Sequence, residues 1–213
     1  MPLVKPNTMK KRDPKEDNLI DPDNSVIAVI DYQPTQLLTQ ESANTAKIMR
    51  NVVDLVRLGK LYNVPIVPSV VNVTSGANEP TFPALREEFG GDMDVYDRMT
   101  INAWEDQNFY DAVHKTGRKK LIIAALWTEA CLSFPTLDAL KEGYEVYPVL
   151  DCVAGSSIDA SDAAIMRMRD SGAKMTSIPQ LACEFQRNYD INKDTVAGYS
   201  DILIDAGSFL KVK

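Results

Sequence analysis

From Ser25 onward the chain alternates short runs of β-branched and other apolar residues with longer stretches in which apolar positions recur every three or four residues. SVIAVID, VPIVPSVVN, DVYDR, KLIIAALW, EVYPVLDCV and KMTSI predict six strands, because runs of this length and composition favour extended backbone. TAKIMRNVVDLVRLGKLYN, AWEDQNFYDAVHKTG, TEACLSFPTLDALKEG and SIDASDAAIMRMRDSG carry the helical period and predict the crossovers. A strand with helices on both sides has no solvent face and loses the alternation of apolar and polar residues. LIIAAL at 121–126 has that character and predicts a central strand. The pattern is that of an α/β protein: a three-layer, doubly wound, six-stranded, mostly parallel sheet with helices on both faces. NEPTFPALREEFGGD predicts a loop with a short helix.

Residues 1–24 are rich in charge and proline with almost no apolar period, and predict an extended N-terminal arm. Residues 25–190 form the predicted domain, and residues 191–213 a C-terminal tail packing on the domain or on a neighbouring subunit. The whole chain has 213 residues, 45% hydrophobic and 25% charged, enough for one substantial core. A net charge of -7 argues against nucleic acid and anionic membrane as partners. No run approaches the roughly 18 to 20 apolar residues that span a bilayer, and the first residues lack the apolar stretch of a signal peptide, so a cytoplasmic location is expected. Cys131, Cys152 and Cys183 are too few and too scattered for a disulfide framework and are read as thiols. The turn after the first strand, DYQPTQLL, has no glycine, which removes the dinucleotide and P-loop readings, and no cofactor is expected.

The single histidine restricts the chemistry further. His114 alone cannot build a zinc site of two or three imidazoles, and the cysteines show no C-x-x-C spacing, so no metal is expected. His114 sits in FYDAVHKTGRKK and reads as a surface residue near a helix C-terminus. Three other residues stand at strand ends: Asp31 after VIAVI, Arg98 after DVYD, and Cys131 shortly after KLIIAALW. Each alone has an ordinary structural explanation, as a turn former, a solvated cation or a small buried hydrophobe. Together they bring a carboxylate, a fixed cation and a thiol to one edge of the predicted sheet.

A thiol attacks as thiolate, and an unperturbed pKa of about 8.5 leaves little of it near neutrality. With no imidazole for the task, the remaining devices are a helix N-terminus, a nearby cation and a carboxylate that takes the proton. Cys131 falls in the first turn of TEACLSFPTLDALKEG, where free backbone N–H groups favour an anion. Pro135 has no N–H for the carbonyl of Cys131 four positions earlier, which predicts a distorted first turn.

VIAVIDYQ at 26–33, INAWED at 101–106 and LIIAALWTEACLSFPTLDALKEGY at 121–144, with the later CVAGSS and LACEFQR segments, resemble the isochorismatase-like cysteine hydrolases, especially the YcaC-type branch. The resemblance implies a catalytic triad of Asp31, Arg98 and Cys131. It also implies a cis peptide between Leu126 and Trp127, and an oxyanion hole formed by the backbone N–H groups of Trp127 and Cys131. The implied activity is metal-independent hydrolysis of a small carbonyl compound, most simply an amide, through an acyl-enzyme on Cys131. Family relatives are commonly oligomers, which implies a homo-oligomer. The metal-binding relatives that hydrolyse nicotinamide use an aspartate and histidines that this chain does not offer.

Gln33, Asn102, Trp104 and Trp127 lie near the predicted strand ends and are candidates for binding the substrate. Asn102 could equally cap the helix beginning near Ala103, and the Trp127 ring could equally pack under a neighbouring helix. Glu129 is placed to anchor a loop, and Cys152 and Cys183 read as core thiols. DRMTINAW is about one residue shorter between Arg98 and INAW than the pattern of this branch. A noncatalytic small-molecule binding or assembly protein on the same scaffold is therefore the alternative, and a redox-sensing thiol is a third reading.

Overall fold

The run without polar alternation, LIIAAL, lies inside the sheet with a strand on either side. A computed structural model of the chain describes residue 3 and residues 9–207. Its strands are β1 (Ser25–Ile30), β2 (Ile66–Val71), β3 (Tyr96–Arg98), β4 (Lys120–Ala125) and β5 (Glu145–Pro148). They run parallel in the order β3-β2-β1-β4-β5. Every residue of β1 and β4 is buried, as coverage of both faces requires. Lys120 is the charged exception, and its ammonium donates to the Asp17 carbonyl at 2.7 Å and the Glu145 carboxylate at 3.1 Å.

The helices are α1 (Pro34–Thr39), α2 (Thr45–Leu61), α3 (Pro83–Phe89), α4 (Gln107–Lys115), α5 (Ser133–Lys141), α6 (Ile158–Asp170), α7 (Ile178–Gln186) and α8 (Val196–Asp205). α2 packs against α3, α7 and α8, while α5 packs against α6 and α4 lies against β2. Side-chain caps begin three of them: Asn44 accepts from the Lys47 N–H at 2.9 Å, Asp106 from Phe109 at 3.0 Å and Ser157 from Ala160 at 3.1 Å. Each cap satisfies an N–H that the first turn of a helix leaves without a partner.

Five strands form where the pattern predicts six, and Pro148 supplies the reason. The KMTSI segment lies along the outer edge of β5. There the Lys174 N–H donates to the Val146 carbonyl at 2.9 Å, Thr176 to the Pro148 carbonyl at 3.0 Å, and Leu150 to the Thr176 carbonyl at 2.9 Å. The rung missing from this parallel ladder is the one from residue 148 to the Lys174 carbonyl, which proline cannot donate. Only an isolated bridge, Val149 to Thr176, remains of the sixth strand.

The N-terminal arm is more engaged with the domain than an extended segment would be. Ile20 is buried in the core, and Asp17 pairs with both Arg12 and Arg187. The region predicted as a C-terminal tail contains α8, which packs on α2 and α7. The predicted arm at residues 1, 2 and 4–8 and the predicted tail at residues 208–213 lie outside the described residues. Among the described residues no helix is long and apolar enough to cross a membrane.

Replacing Pro148 with alanine restores the missing donor. The amide of residue 148 in Pro148→Ala is expected to exchange slowly with deuterated solvent, with thermodynamic stability changed by no more than about 1 kcal/mol. A freely exchanging amide there would show that the edge is interrupted by something other than the proline.

Candidate active site

β1 and β4 are neighbours whose connections leave in opposite directions, so strand order reverses between them, and the carboxyl ends of strands at such a point are where open α/β sheets place their ligands. Asp31 is the first residue after β1. Its φ of 62° lies in the left-handed region, which aspartate tolerates better than most side chains. The Asp31 N–H donates to the Ser69 carbonyl at 3.0 Å and so remains tied to β2 while the chain turns.

Arg98 ends β3, two strands away from Asp31, and sits opposite Val71 in the register. Its side chain crosses the end of β2, with Nη1 donating to Ser69 Oγ at 3.2 Å and to the Val70 carbonyl at 3.1 Å. The guanidinium then closes on Asp31 with two bonds, Nη1 to Oδ1 at 2.7 Å and Nη2 to Oδ2 at 2.6 Å. Nη2 also donates to the Ile101 carbonyl at 3.2 Å. Both side chains are 0% exposed, so this is a fully dehydrated, two-pronged ion pair. Ser69, a polar residue within the VPIVPSVVN run that sequence reasoning passed over, supports the guanidinium and donates in turn to the Tyr96 carbonyl at 2.8 Å. A lone serine in an otherwise apolar strand was the available signal. The short link to INAW does not turn Arg98 away from the crevice.

Beyond β4 the Leu126–Trp127 peptide is cis, and Thr128–Leu132 form a π-helical turn before α5. The Leu132 N–H donates to the Trp127 carbonyl at 3.2 Å, a five-residue step that widens the turn. This is the distortion that Pro135 predicts. Cys131 lies within the wide turn and is 8% exposed.

The Cys131 thiol holds its proton more tightly than a free cysteine. Burial is the main cause, followed by the negative charge of Asp31 and the hydrogen bond to that carboxylate. The Arg98 charge and the Trp127 N–H act in the opposite sense. The cation and the Trp127 N–H do act to lower the thiol pKa, but dehydration and the carboxylate outweigh them, and the net shift is upward. For Arg98, burial disfavours the charge, but Asp31 and the Cys131 sulfur more than offset it, and the guanidinium stays protonated.

The other predicted residues divide. Trp127 is partly exposed, its backbone N–H faces the Cys131 sulfur, and its indole Nε1 donates to the Gln36 carbonyl at 3.3 Å. Gln33 is fully buried. Its Nε2 donates to the carbonyls of Val71 at 3.1 Å and Glu79 at 2.7 Å, and its Oε1 accepts from Val71 at 2.9 Å, so its amide is spent on backbone. Asn102 takes the capping role, accepting from the Trp104 N–H at 3.1 Å and donating to Asp138 at 2.7 Å. Trp104 is buried among Phe109, Tyr110, His114 and Tyr144, with Nε1 donating to Glu142 at 3.0 Å. These hydrogen bonds engage the three side chains with the fold, leaving one N–H of the Asn102 amide without a partner among the described residues.

Glu129 anchors a loop, as its position in the motif suggests: Oε1 accepts from the Ser156 N–H at 3.0 Å and Ser156 Oγ at 2.5 Å. A Cβ at residue 155 would fall 2.5 Å from Glu129 Oε2, which explains Gly155 at that position. Cys152 is a fully buried thiol, but Cys183 is exposed, with Sγ 3.4 Å from the Tyr199 hydroxyl, and is not a core residue. Helical spacing placed Cys183 on α7 without revealing that its position faces outward. His114 lies in the last turn of α4, stacked on Tyr110 at 3.8 Å and 3.1 Å from Glu142. Among the described residues no group of three or more His, Cys, Asp or Glu side chains is arranged to hold a metal ion.

Comparison with known proteins gives concordant results. The isochorismatase domain family matches residues 25–180. The chain is 31% identical over 170 residues to the Escherichia coli (strain K12) protein named Probable hydrolase YcaC, covering 80% of this chain and 81% of that one. It resembles the structure of Pseudomonas aeruginosa YcaC with hexane-2,5-diol and covalent acrylamide, with TM-score 0.81 and 30% identity over 89% of this chain and 92% of that one. The Escherichia coli YcaC gene product, described as an octameric hydrolase of unknown specificity, has TM-score 0.82 and 30% identity over 89% and 91% of the two chains.

A raised thiol pKa makes a definite statement about resting reactivity. The rate of Cys131 alkylation by iodoacetamide, followed by peptide mass spectrometry, is expected to rise about tenfold per pH unit from pH 7 to pH 9, because the thiolate fraction is still climbing over that range. A plateau reached below pH 8 would show a preformed thiolate and contradict the dominance of burial and Asp31.

Proposed function

The chain belongs to the isochorismatase family, in its YcaC-type branch, and from that premise we propose that it is a metal-independent cysteine hydrolase that cleaves a small amide through an acyl-enzyme on Cys131. The observation that carries this reading is the dehydrated Asp31 carboxylate, gripped by Arg98 and facing a thiol at the point where strand order reverses. Because the thiol keeps its proton at rest, deprotonation has to accompany attack, and Asp31 is the base within reach. A thiol of high pKa is also the stronger nucleophile once its proton is gone.

In this reading the Cys131 sulfur attacks the carbonyl carbon as Asp31 takes the thiol proton. The tetrahedral oxyanion accepts hydrogen bonds from the Trp127 and Cys131 N–H groups. Collapse breaks the carbon–nitrogen bond, Asp31 gives its proton to the departing amine, and the acyl group stays on sulfur as a thioester. Asp31 then deprotonates a water that attacks the thioester carbon; the carbon–sulfur bond breaks, the departing sulfur takes the proton back from Asp31, and the carboxylic acid leaves. Arg98 cannot exchange protons near neutrality, so its part is to orient Asp31 and balance its charge in a dry crevice. Covalent acrylamide in the Pseudomonas aeruginosa relative supports a site that receives a small amide-bearing electrophile. The octameric relative, together with the exposed apolar side chains of Leu38, Met99 and Ile101, supports a homo-oligomer.

Incubation with a library of small amides, esters and nitriles is expected to give turnover, with an acyl mass adduct on Cys131 that is absent in Cys131→Ser. Asp31→Asn is expected to lower kcat by about 10²- to 10⁴-fold. Adduct formation and turnover undiminished in Cys131→Ser would overturn the assignment. A folded protein that binds library members without converting any would favour the binding or assembly alternative.

Arg98→Lys keeps the charge and loses the two-pronged grip. Its kcat/KM is expected to fall roughly tenfold to hundredfold, corresponding to about 1–3 kcal/mol of lost transition-state stabilisation. Full activity in this variant would show that charge alone suffices.

A further inference from the structure

The backbone of β1 leaves its neighbour β2 before β2 itself ends. The ladder between them stops at Ile30 opposite Ser69, and the Asp31 N–H gives the last backbone bond, to the Ser69 carbonyl at 3.0 Å. At Asp31 the chain turns away through the left-handed region. Every second residue of a strand turns its N–H and carbonyl toward the same neighbour, so the next groups of β2 that face β1 belong to Val71. Val71 is also the residue opposite Arg98 in the register of β2 with β3.

One side chain meets both groups. The Val71 N–H donates to Gln33 Oε1 at 2.9 Å, and Gln33 Nε2 donates to the Val71 carbonyl at 3.1 Å and to the Glu79 carbonyl at 2.7 Å. A primary amide offers a donor and an acceptor as a peptide group does, and the fully buried Gln33 amide makes the two rungs that the departing backbone no longer supplies. From the other side β3 holds the same end of β2. The Asn72 N–H donates to the Arg98 carbonyl at 2.9 Å, and Arg98 Nη1 donates to the Val70 carbonyl at 3.1 Å.

On the reading of Asp31, Arg98 and Cys131 as the reacting group, we propose that Gln33 is a positioning residue for the hydrolysis: its amide extends the sheet past the turn at Asp31 and fixes the end of β2 across which Arg98 reaches the Asp31 carboxylate. Gln33 acts through Val71 and Arg98 and contacts no reactant. Without the amide the end of β2 is free to shift, Arg98 shifts with it, and the carboxylate is no longer aimed at the sulfur. Among the charges acting on the Cys131 thiol, Asp31 outweighs Arg98, so loosening the pair favours the thiolate.

The test uses the full chain with Gln33→Met, which keeps the side-chain length and removes the amide, and Gln33→Glu, which keeps an acceptor for Val71 but as a carboxylate has no proton for the two carbonyls. Iodoacetamide alkylation of Cys131 against pH needs no substrate. In Gln33→Met the profile is expected to move to lower pH, with alkylation at pH 7.5 about tenfold faster. The fully buried Cys152 is expected to stay unmodified, which reports a closed fold. With a library amide that the wild-type chain hydrolyses, kcat is expected to fall about tenfold in both variants while KM stays within about twofold. In the Arg98→Lys background Gln33→Met is expected to change kcat by less than about twofold, because the grip it supports is already lost. The Val71 amide of the wild-type chain is expected to exchange slowly with deuterated solvent.

An alkylation profile that does not move, a rate raised equally at every pH, kcat losses that multiply in the double variant, or free exchange at Val71 each overturns the proposal. A wild-type chain that hydrolyses no amide, with the alkylation profile still displaced in Gln33→Met, overturns the hydrolase reading and leaves the part of Gln33 in aiming Asp31 in place.

Discussion

A carboxylate and a guanidinium, neither touching water, hold together the carboxyl edge of the sheet. Asp31 and Arg98 come from strands separated by β2, and their two short hydrogen bonds span that strand's end. Dehydrating two charges is expensive and is tolerated only where geometry and extra hydrogen bonds are good. Ser69 Oγ and the carbonyls of Val70 and Ile101 provide those bonds to the guanidinium. Removal of either partner would leave an uncompensated buried charge, a loss of about 3–5 kcal/mol. The pair therefore serves the fold and the chemistry at once, because the same restraint aims the carboxylate at the sulfur.

The position of that sulfur depends on a local irregularity. Pro135 denies the Cys131 carbonyl its ordinary helical partner, and the backbone answers with a wide turn over Thr128–Leu132. Cys131 sits in this turn, close to the Trp127 N–H and shielded from solvent. Dehydration keeps the thiol protonated, so reactivity is conditional on a neighbouring base. A thiol governed in this way is protected from casual oxidation or alkylation, since the thiolate is the reactive form.

Much of this was legible before any coordinates. The unbroken apolar character of LIIAAL indicated a central strand, and β4 is buried throughout. Asp31, Arg98 and Cys131 were identifiable because charged or reactive groups stood where apolar runs stopped. The supporting residues were less so. Gln33, Asn102 and Trp104 are polar-tipped residues close to those strand ends, and proximity along the chain could not show that Val71, Glu79, Asp138 and Glu142 already occupy their hydrogen-bonding atoms. Ser69 was hidden within a strand because its role is visible only once β3 brings Arg98 beside it.

Periodicity, the absence of a glycine-rich turn and the presence of one histidine together determined the α/β class, the elements and the chemistry available, since these follow from local spacing and residue type. Tertiary structure alone decided three matters. Pro148 faced the outer edge of β5 and left the sheet with five strands; part of the N-terminal region packed on the domain; and burial prevailed over the guanidinium in setting the thiol. Each is a balance between groups remote in sequence, and its outcome depends on distance and dehydration, quantities that exist only after the chain has folded.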